Sequence, residues 1–233
     1  LEVAFVTLEG LSRMPARPGT VELARSGVVL AGEPGILARL PRWEAGAVSA
    51  EERLLLLENR AFELLWAARP ASTQLAALSA RHAVLKTALD LAALRALWQG
   101  EWPAGAKARV ARARELGAPA DPPSWLEHAW AGIEPSWLAA LAWRSGRVTA
   151  LEPAEATTEW RAVVRAWCAA WWAERDGASA PRDPWERALA VAARAPLARR
   201  LRRSLTFHAS GEAGVFLRLV QAFAGTPQHR IHG

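Results

Sequence analysis

The chain has 233 residues, 52% of them apolar and 22% charged, with a net charge of +6 and a pI near 11.0. Such a length and balance exclude a disordered or low-complexity chain and suit one large domain or two small ones, able to bury a core without covalent staples. One cysteine, Cys168, rules out an intrachain disulfide and any multi-cysteine metal site. No apolar run reaches the roughly 18 residues of a membrane span and no signal-peptide pattern opens the chain, so a cytoplasmic, mostly helical protein is expected.

In chain order, residues 1–8 (Leu-Glu-Val-Ala-Phe-Val-Thr-Leu) read as the interior of a strand. A strand interior at the first residue implies a truncated chain whose N-terminal part is missing. Residues 9–20 are rich in turn formers, and residues 27–32 form a short apolar run bracketed by Gly27 and Gly32, which predicts a buried strand. Glu33-Pro34 opens a helical turn through Ile36, Leu37 and Leu40 that stops before Pro41. Residues 1–48 therefore predict a small α/β remnant.

From Ser49 onward the pattern is helical. Ser49-Ala50-Glu51-Glu52 fits a capping box and starts a helix that runs to about residue 68. A long helix is expected over 72–99, with Gly100 as its C-terminal cap, then a basic one over 104–116. Asp121-Pro122-Pro123 starts a short helix, and a second follows Pro135 with Trp137, Leu138, Leu141 and Trp143. Pro153 opens a long helix whose Trp160, Val163, Val164, Trp167, Trp171 and Trp172 recur at helical spacing. With 13 Trp and no Tyr in the chain, this stripe reads as core packing rather than a stacking platform. Further helices are expected at 183–194, 197–207 and from Ser210. Residues 49–233 thus predict a helical bundle.

Three constellations bear on chemistry. His82, Lys86 and Asp90 recur every four residues, placing an imidazole, an ammonium and a carboxylate on one stripe about 12 Å long. As chemistry, the ammonium holds a phosphate while its neighbours relay protons; as structure, the stripe is a solvated face with one Lys–Asp pair. Arg199, Arg200, Arg202 and Arg203 form the densest basic cluster, most simply an Arg-coated helix back, and nucleic acid is not the expected partner. Arg203 and His208 have the Arg-x4-His spacing of HEPN-type ribonucleases, a match that accident readily supplies in an Arg-rich chain.

Taken in order, three stretches resemble the C-terminal part of polymerase-β-like nucleotidyltransferases of the kanamycin-nucleotidyltransferase kind. Glu2 and its neighbours look like the strand that brings a metal-binding carboxylate. Gly27-Val28-Val29-Leu30-Ala31-Gly32-Glu33 looks like the strand end that closes the catalytic sheet, with Ala31 where the family has Tyr. His82-x3-Lys86-x3-Asp90-Leu91, then Gly100-Glu101-Trp102-Pro103, looks like the helical domain's Tyr-x3-Lys-x3-Asp-Leu and Gly-x-Tyr-Pro. The resemblance implies Mg²⁺ held in part by Glu2, nucleoside-triphosphate phosphates contacted by Lys86 with His82 beside them, and a catalytic role for Asp90 toward an acceptor hydroxyl. The family's Gly-Ser and Asp-x-Asp signature does not occur in these residues. The expected function is accordingly the C-terminal part of a Mg²⁺-dependent nucleotidyltransferase, inactive as this fragment. The alternatives are a non-enzymatic helical interaction domain and a HEPN-like ribonuclease.

Overall fold

The computed structural model describes residues 7–68, 72–116, 129–130, 132–147 and 151–176, and among these helix follows helix with no strand. The described helices are α1 (Leu8–Leu11), α2 (Pro18–Ser26), α3 (Ala50–Ala67), α4 (Gln74–Trp98), α5 (Gly105–Glu115), α6 (Glu134–Arg144) and α7 (Pro153–Asp176), with short 3-10 turns at Ile36–Arg39 and Ala45–Ala47. The chain divides into two compact units, Leu1–Leu56 with Ala92–Gly117, and Leu57–Leu91 with Ala118–Gly233, so that α3 and α4 contribute residues to both.

In the first unit, helix starts follow from local chemistry. The Thr7 hydroxyl accepts a hydrogen bond from Gly10 N–H at 3.0 Å and so caps α1. Pro18 occupies the first turn of α2, where its missing N–H costs nothing, and the Thr20 hydroxyl accepts from Arg17 N–H at 2.9 Å. Ser49 Oγ accepts from Glu52 N–H at 3.2 Å, the serine half of the expected capping box, while the Glu52 carboxylate is engaged by Arg17 Nε at 2.9 Å. At the other end of α4, Gly100 takes a φ of +69°, Gly100 N–H donates to Leu97 O at 2.9 Å, and Glu101 N–H donates to Ala96 O at 3.0 Å. This is the left-handed helix stop that glycine permits and a side chain resists. The unit's core is Val21, Ala45, Val48, Ala93, Leu97 and Trp102, with Trp43 packed against it.

Two expectations for this region are corrected. Residues 27–32 are not a strand but irregular backbone, with Val28 77% and Leu30 95% exposed. A buried strand needs a ladder partner for its N–H and C=O groups, and α2 takes up the residues immediately before the run, so Val28 and Leu30 stand in solvent. Leu8, assigned to the first strand, instead opens α1, while residues 1–6 lie outside the described residues. The mainly helical class holds; an α/β remnant has no counterpart among the described residues.

The second unit is organised by buried tryptophans. On α7, Trp160, Val163, Val164, Trp167 and Trp171 are buried, Trp172 is half-buried, and Trp171 and Trp172 meet edge-on with centroids 5.3 Å apart. Each large ring removes apolar area from water but carries an indole N–H that needs an acceptor. Trp160 Nε1 donates to Leu64 O at 2.9 Å and Trp167 Nε1 donates to Leu57 O at 2.7 Å, both on α3. Donors and acceptors are both seven residues apart and pair in reverse order, so α3 and α7 run antiparallel in a fixed axial register. Trp137 of α6 likewise donates to Ala88 O of α4 at 2.9 Å. Arg81 of α4 adds a two-pronged ion pair to Glu159 of α7, at 3.0 and 3.2 Å. Cys168 is buried on α7, and burial pushes its thiol well above the ordinary cysteine pKa. Residues 121–128, where a short helix is expected, and the helices expected beyond 183, including Arg199–Arg203 and His208, lie outside the described residues.

Trp167→Ala, which leaves a cavity and removes a buried hydrogen bond, is expected to cost about 3–5 kcal/mol in chemical denaturation. Trp172→Ala, at a half-buried position, is expected to cost clearly less in the same measurement.

Candidate functional site

Most of α4 is buried: Ala83, Val84, Leu85, Thr87, Ala88, Leu91 and Ala92 are all closed off from solvent. A helix sunk this deeply keeps its ionisable side chains on whatever strip reaches the surface, and here that strip is His82, Lys86 and Asp90, one helical turn apart. His82 is exposed, whereas Lys86 and Asp90 are half-buried.

The ion pairs are not those the stripe suggests. Lys86 and Asp90 each turn to a partner on α3 instead of to one another. The Asp90 carboxylate accepts from Arg60 Nε, Arg60 Nη1 donates to Glu63 Oε1 at 2.5 Å, and the same Glu63 oxygen accepts from Lys86 Nζ at 3.1 Å. The result is an alternating chain of charges, Asp90–Arg60–Glu63–Lys86, with two cations and two carboxylates. The Arg60 side chain is 14% exposed and that of Lys86 35%, so the arginine is the enclosed member and the lysine the open one. Burial works against the Arg60 charge, yet Asp90 and Glu63 outweigh it and hold the guanidinium above its ordinary pKa. Burial pushes the Asp90 carboxyl upward, with Arg60 and then Lys86 pulling it back in part. His82 stands outside this chain and meets Trp143 of α6, ring centroids 5.7 Å apart and tilted by 38°.

Arg60 and Glu63 were not singled out by the sequence. Their signal was present: a cation and an acid three residues apart, interleaved with Leu57, Ala61 and Leu64, the buried stripe of α3. Charges at the margin of a buried stripe are positioned to meet whatever lies on the neighbouring helix.

The second stretch of the helical-domain resemblance, Gly100 to Pro103, belongs to the first unit. Trp102 is buried there, its Nε1 donating to Glu22 Oε2 at 2.9 Å, and Arg109 pairs with the same oxygen while lying over the Trp102 ring at 4.9 Å. Arg25 Nη1 donates to Trp102 O at 3.0 Å. Glu101 is held bidentately by Arg112 at 2.6 Å on both oxygens, which lowers the glutamate's pKa and raises the arginine's. These contacts fix the turn in place, with Arg109 and Arg112 of α5 engaged by Glu22 and Glu101. Glu33, at the end of the corrected strand, pairs with Arg39 at 3.3 Å.

Glu2, the implied metal ligand, lies outside the described residues. Among the described residues no group of three or more His, Cys, Asp or Glu side chains is arranged to hold a metal ion. Asp90 and Glu63 already face cations, so their cluster does not fit Mg²⁺. No helix among the described residues is long and apolar enough to cross a membrane. No family model, curated protein or solved structure matches this chain.

Removing Arg60 strands the Asp90 carboxylate and leaves Glu63 with Lys86 alone, whereas removing Lys86 leaves both carboxylates with Arg60. Arg60→Ala is therefore expected to cost about 2 kcal/mol or more, and Lys86→Ala less than about 1 kcal/mol. Thermal and urea denaturation of the two variants checks the difference.

Proposed function

We propose that this chain is the C-terminal portion of a Mg²⁺-dependent nucleotidyltransferase that moves a nucleoside monophosphate onto an acceptor hydroxyl. In this reading Lys86 binds the nucleotide's phosphates, His82 lies beside them, and Asp90 acts toward the acceptor through its place next to Arg60. The observation that supports it is the character of Lys86: an ammonium on a deeply buried helix, rigidly based, yet more open than the arginine beside it. A cation held this way suits a mobile, multiply charged anion, because its backbone is ordered before binding and only its side chain must rearrange. Residues 27–32, as exposed irregular backbone, take no part in this function, and Mg²⁺ falls to carboxylates other than Asp90 and Glu63.

The test is a titration of the purified chain with ATP and with GTP, each with Mg²⁺ in excess, followed by tryptophan fluorescence and calorimetry. Saturable binding is expected, weakened at least tenfold by Lys86→Ala, which corresponds to about 1.4 kcal/mol. Wild-type and variant affinities that agree would mean the stripe is only surface.

A non-enzymatic interaction domain is the second reading. It is favoured by Phe62 and Trp66, one turn apart on α3 and 50% and 45% exposed. In that case both nucleotides leave the fluorescence of the chain unchanged at millimolar concentration.

A further inference from the structure

We propose that Glu63 is a built-in competitor for phosphate: it occupies the Lys86 ammonium in the empty site, and a phosphate ligand binds by taking its place. The inference rests on the phosphate-binding role of Lys86 proposed above and adds the residue that sets the strength and selectivity of that binding.

The argument lies in how the four charges share partners. Glu63 Oε1 accepts from both Lys86 Nζ, at 3.1 Å, and Arg60 Nη1, at 2.5 Å. When Lys86 swings away, Glu63 therefore keeps a guanidinium partner at hydrogen-bond distance. Asp90 keeps Arg60 Nε in the same event. No carboxylate is left without a cation, and so the step avoids the penalty of an uncompensated part-buried charge. Lys86 is also the member of the chain best able to make such a move. Arg60 is enclosed and bound to both carboxylates, so turning its guanidinium toward a ligand would break two ion pairs at once. The ammonium, on a flexible four-carbon stem, reorients with little change elsewhere.

Competition has a second effect. A ligand carrying one negative charge gains from Lys86 little more than Glu63 already supplies, and it enters a site where Glu63 and Asp90 repel it. A triphosphate gains more from the same ammonium, because its charge is greater and it offers several oxygens. Repulsion from Glu63 also grows with the charge of the ligand, so Glu63 lowers the affinity of every anion and moderates the preference for polyphosphates that the ammonium creates.

The experiment compares wild type, Glu63→Gln, Lys86→Ala and the double variant, titrated with ATP, inorganic tripolyphosphate and inorganic phosphate at fixed ionic strength. Replacing the carboxylate by an amide keeps the size of the side chain and an acceptor oxygen for Arg60 but removes the charge that holds Lys86. Glu63→Gln is expected to tighten tripolyphosphate and ATP about tenfold and to widen the preference for tripolyphosphate over phosphate, because the charge removed repels the polyanion most. The gain should vanish when Lys86→Ala is added, since the two changes act on one contact. Far-UV circular dichroism and the thermal midpoint of each variant establish that it is folded, and Glu63→Asp, which keeps the charge, should retain a wild-type preference. If wild type binds and Lys86→Ala weakens it while Glu63→Gln leaves affinity and preference unchanged, the competitor role is overturned and the phosphate site stands. If neither wild type nor Glu63→Gln binds any of the three anions, both fall.

Discussion

The second unit depends on where the indole N–H groups go. Burying a tryptophan stabilises a helical bundle through its area, but it also carries a donor into a region without water, and an unpaired donor there forfeits much of the gain. In a helix–helix interface every backbone N–H is already engaged along its own helix, so the available acceptors are the second lone pairs of helix carbonyls. Trp137, Trp160 and Trp167 each use one. Three interior rings are thereby tied to the main chain of a neighbouring helix. The packing of α3, α4, α6 and α7 is directional as well as hydrophobic, and the side chains on α3 and α4 that form the charged chain inherit their positions from it.

Polar satisfaction follows one pattern in both units: a single carboxylate oxygen shared by two donors. Glu22 serves Trp102 and Arg109, and Glu63 serves Arg60 and Lys86. Where both donors are enclosed, as at Glu22, the arrangement is a fastening. Where one donor is open to solvent, as at Glu63, the same arrangement becomes exchangeable. The chemistry of the two sites is alike, and only the exposure of the second donor distinguishes a structural knot from a place where a ligand can enter.

Much of the helical plan was legible. The spacing of Trp160, Val164, Trp167 and Trp171 announced a buried face, Ser49 and Gly100 announced helix ends, and the structure places them so. These signals are local, each depending on a periodicity or a cap within one turn of chain. Helix α2 was missed because Pro18, Gly19 and Thr20 serve equally at a turn and in the first turn of a helix, and the residues that decide between them lie further along. The run Val28-Val29-Leu30 misled for a different reason: a short apolar run fits a buried strand only if another strand lies alongside, which is not a property of the run itself. The stripe of the candidate site was half legible. Helical spacing put His82, Lys86 and Asp90 on one side of α4, but the partners of Lys86 and Asp90 are set by which side of α3 faces them, and that rotation is decided by the tryptophan contacts elsewhere in the unit.

The paired indole contacts between α3 and α7 have a mechanical consequence. Two donors spaced like their two acceptors act as the teeth of a rack: shifting either helix along its axis by one residue, about 1.5 Å, strains both bonds at once, and no nearby position restores them together. Sliding is thus closed to this helix pair, whereas opening as a hinge about one end breaks the bonds one at a time. Any rearrangement that admits a ligand beside Arg60 and Glu63 must then come from side chains or from such a hinge. A deletion of one residue between Trp160 and Trp167 would unmesh the helices even though every remaining side chain kept its chemistry.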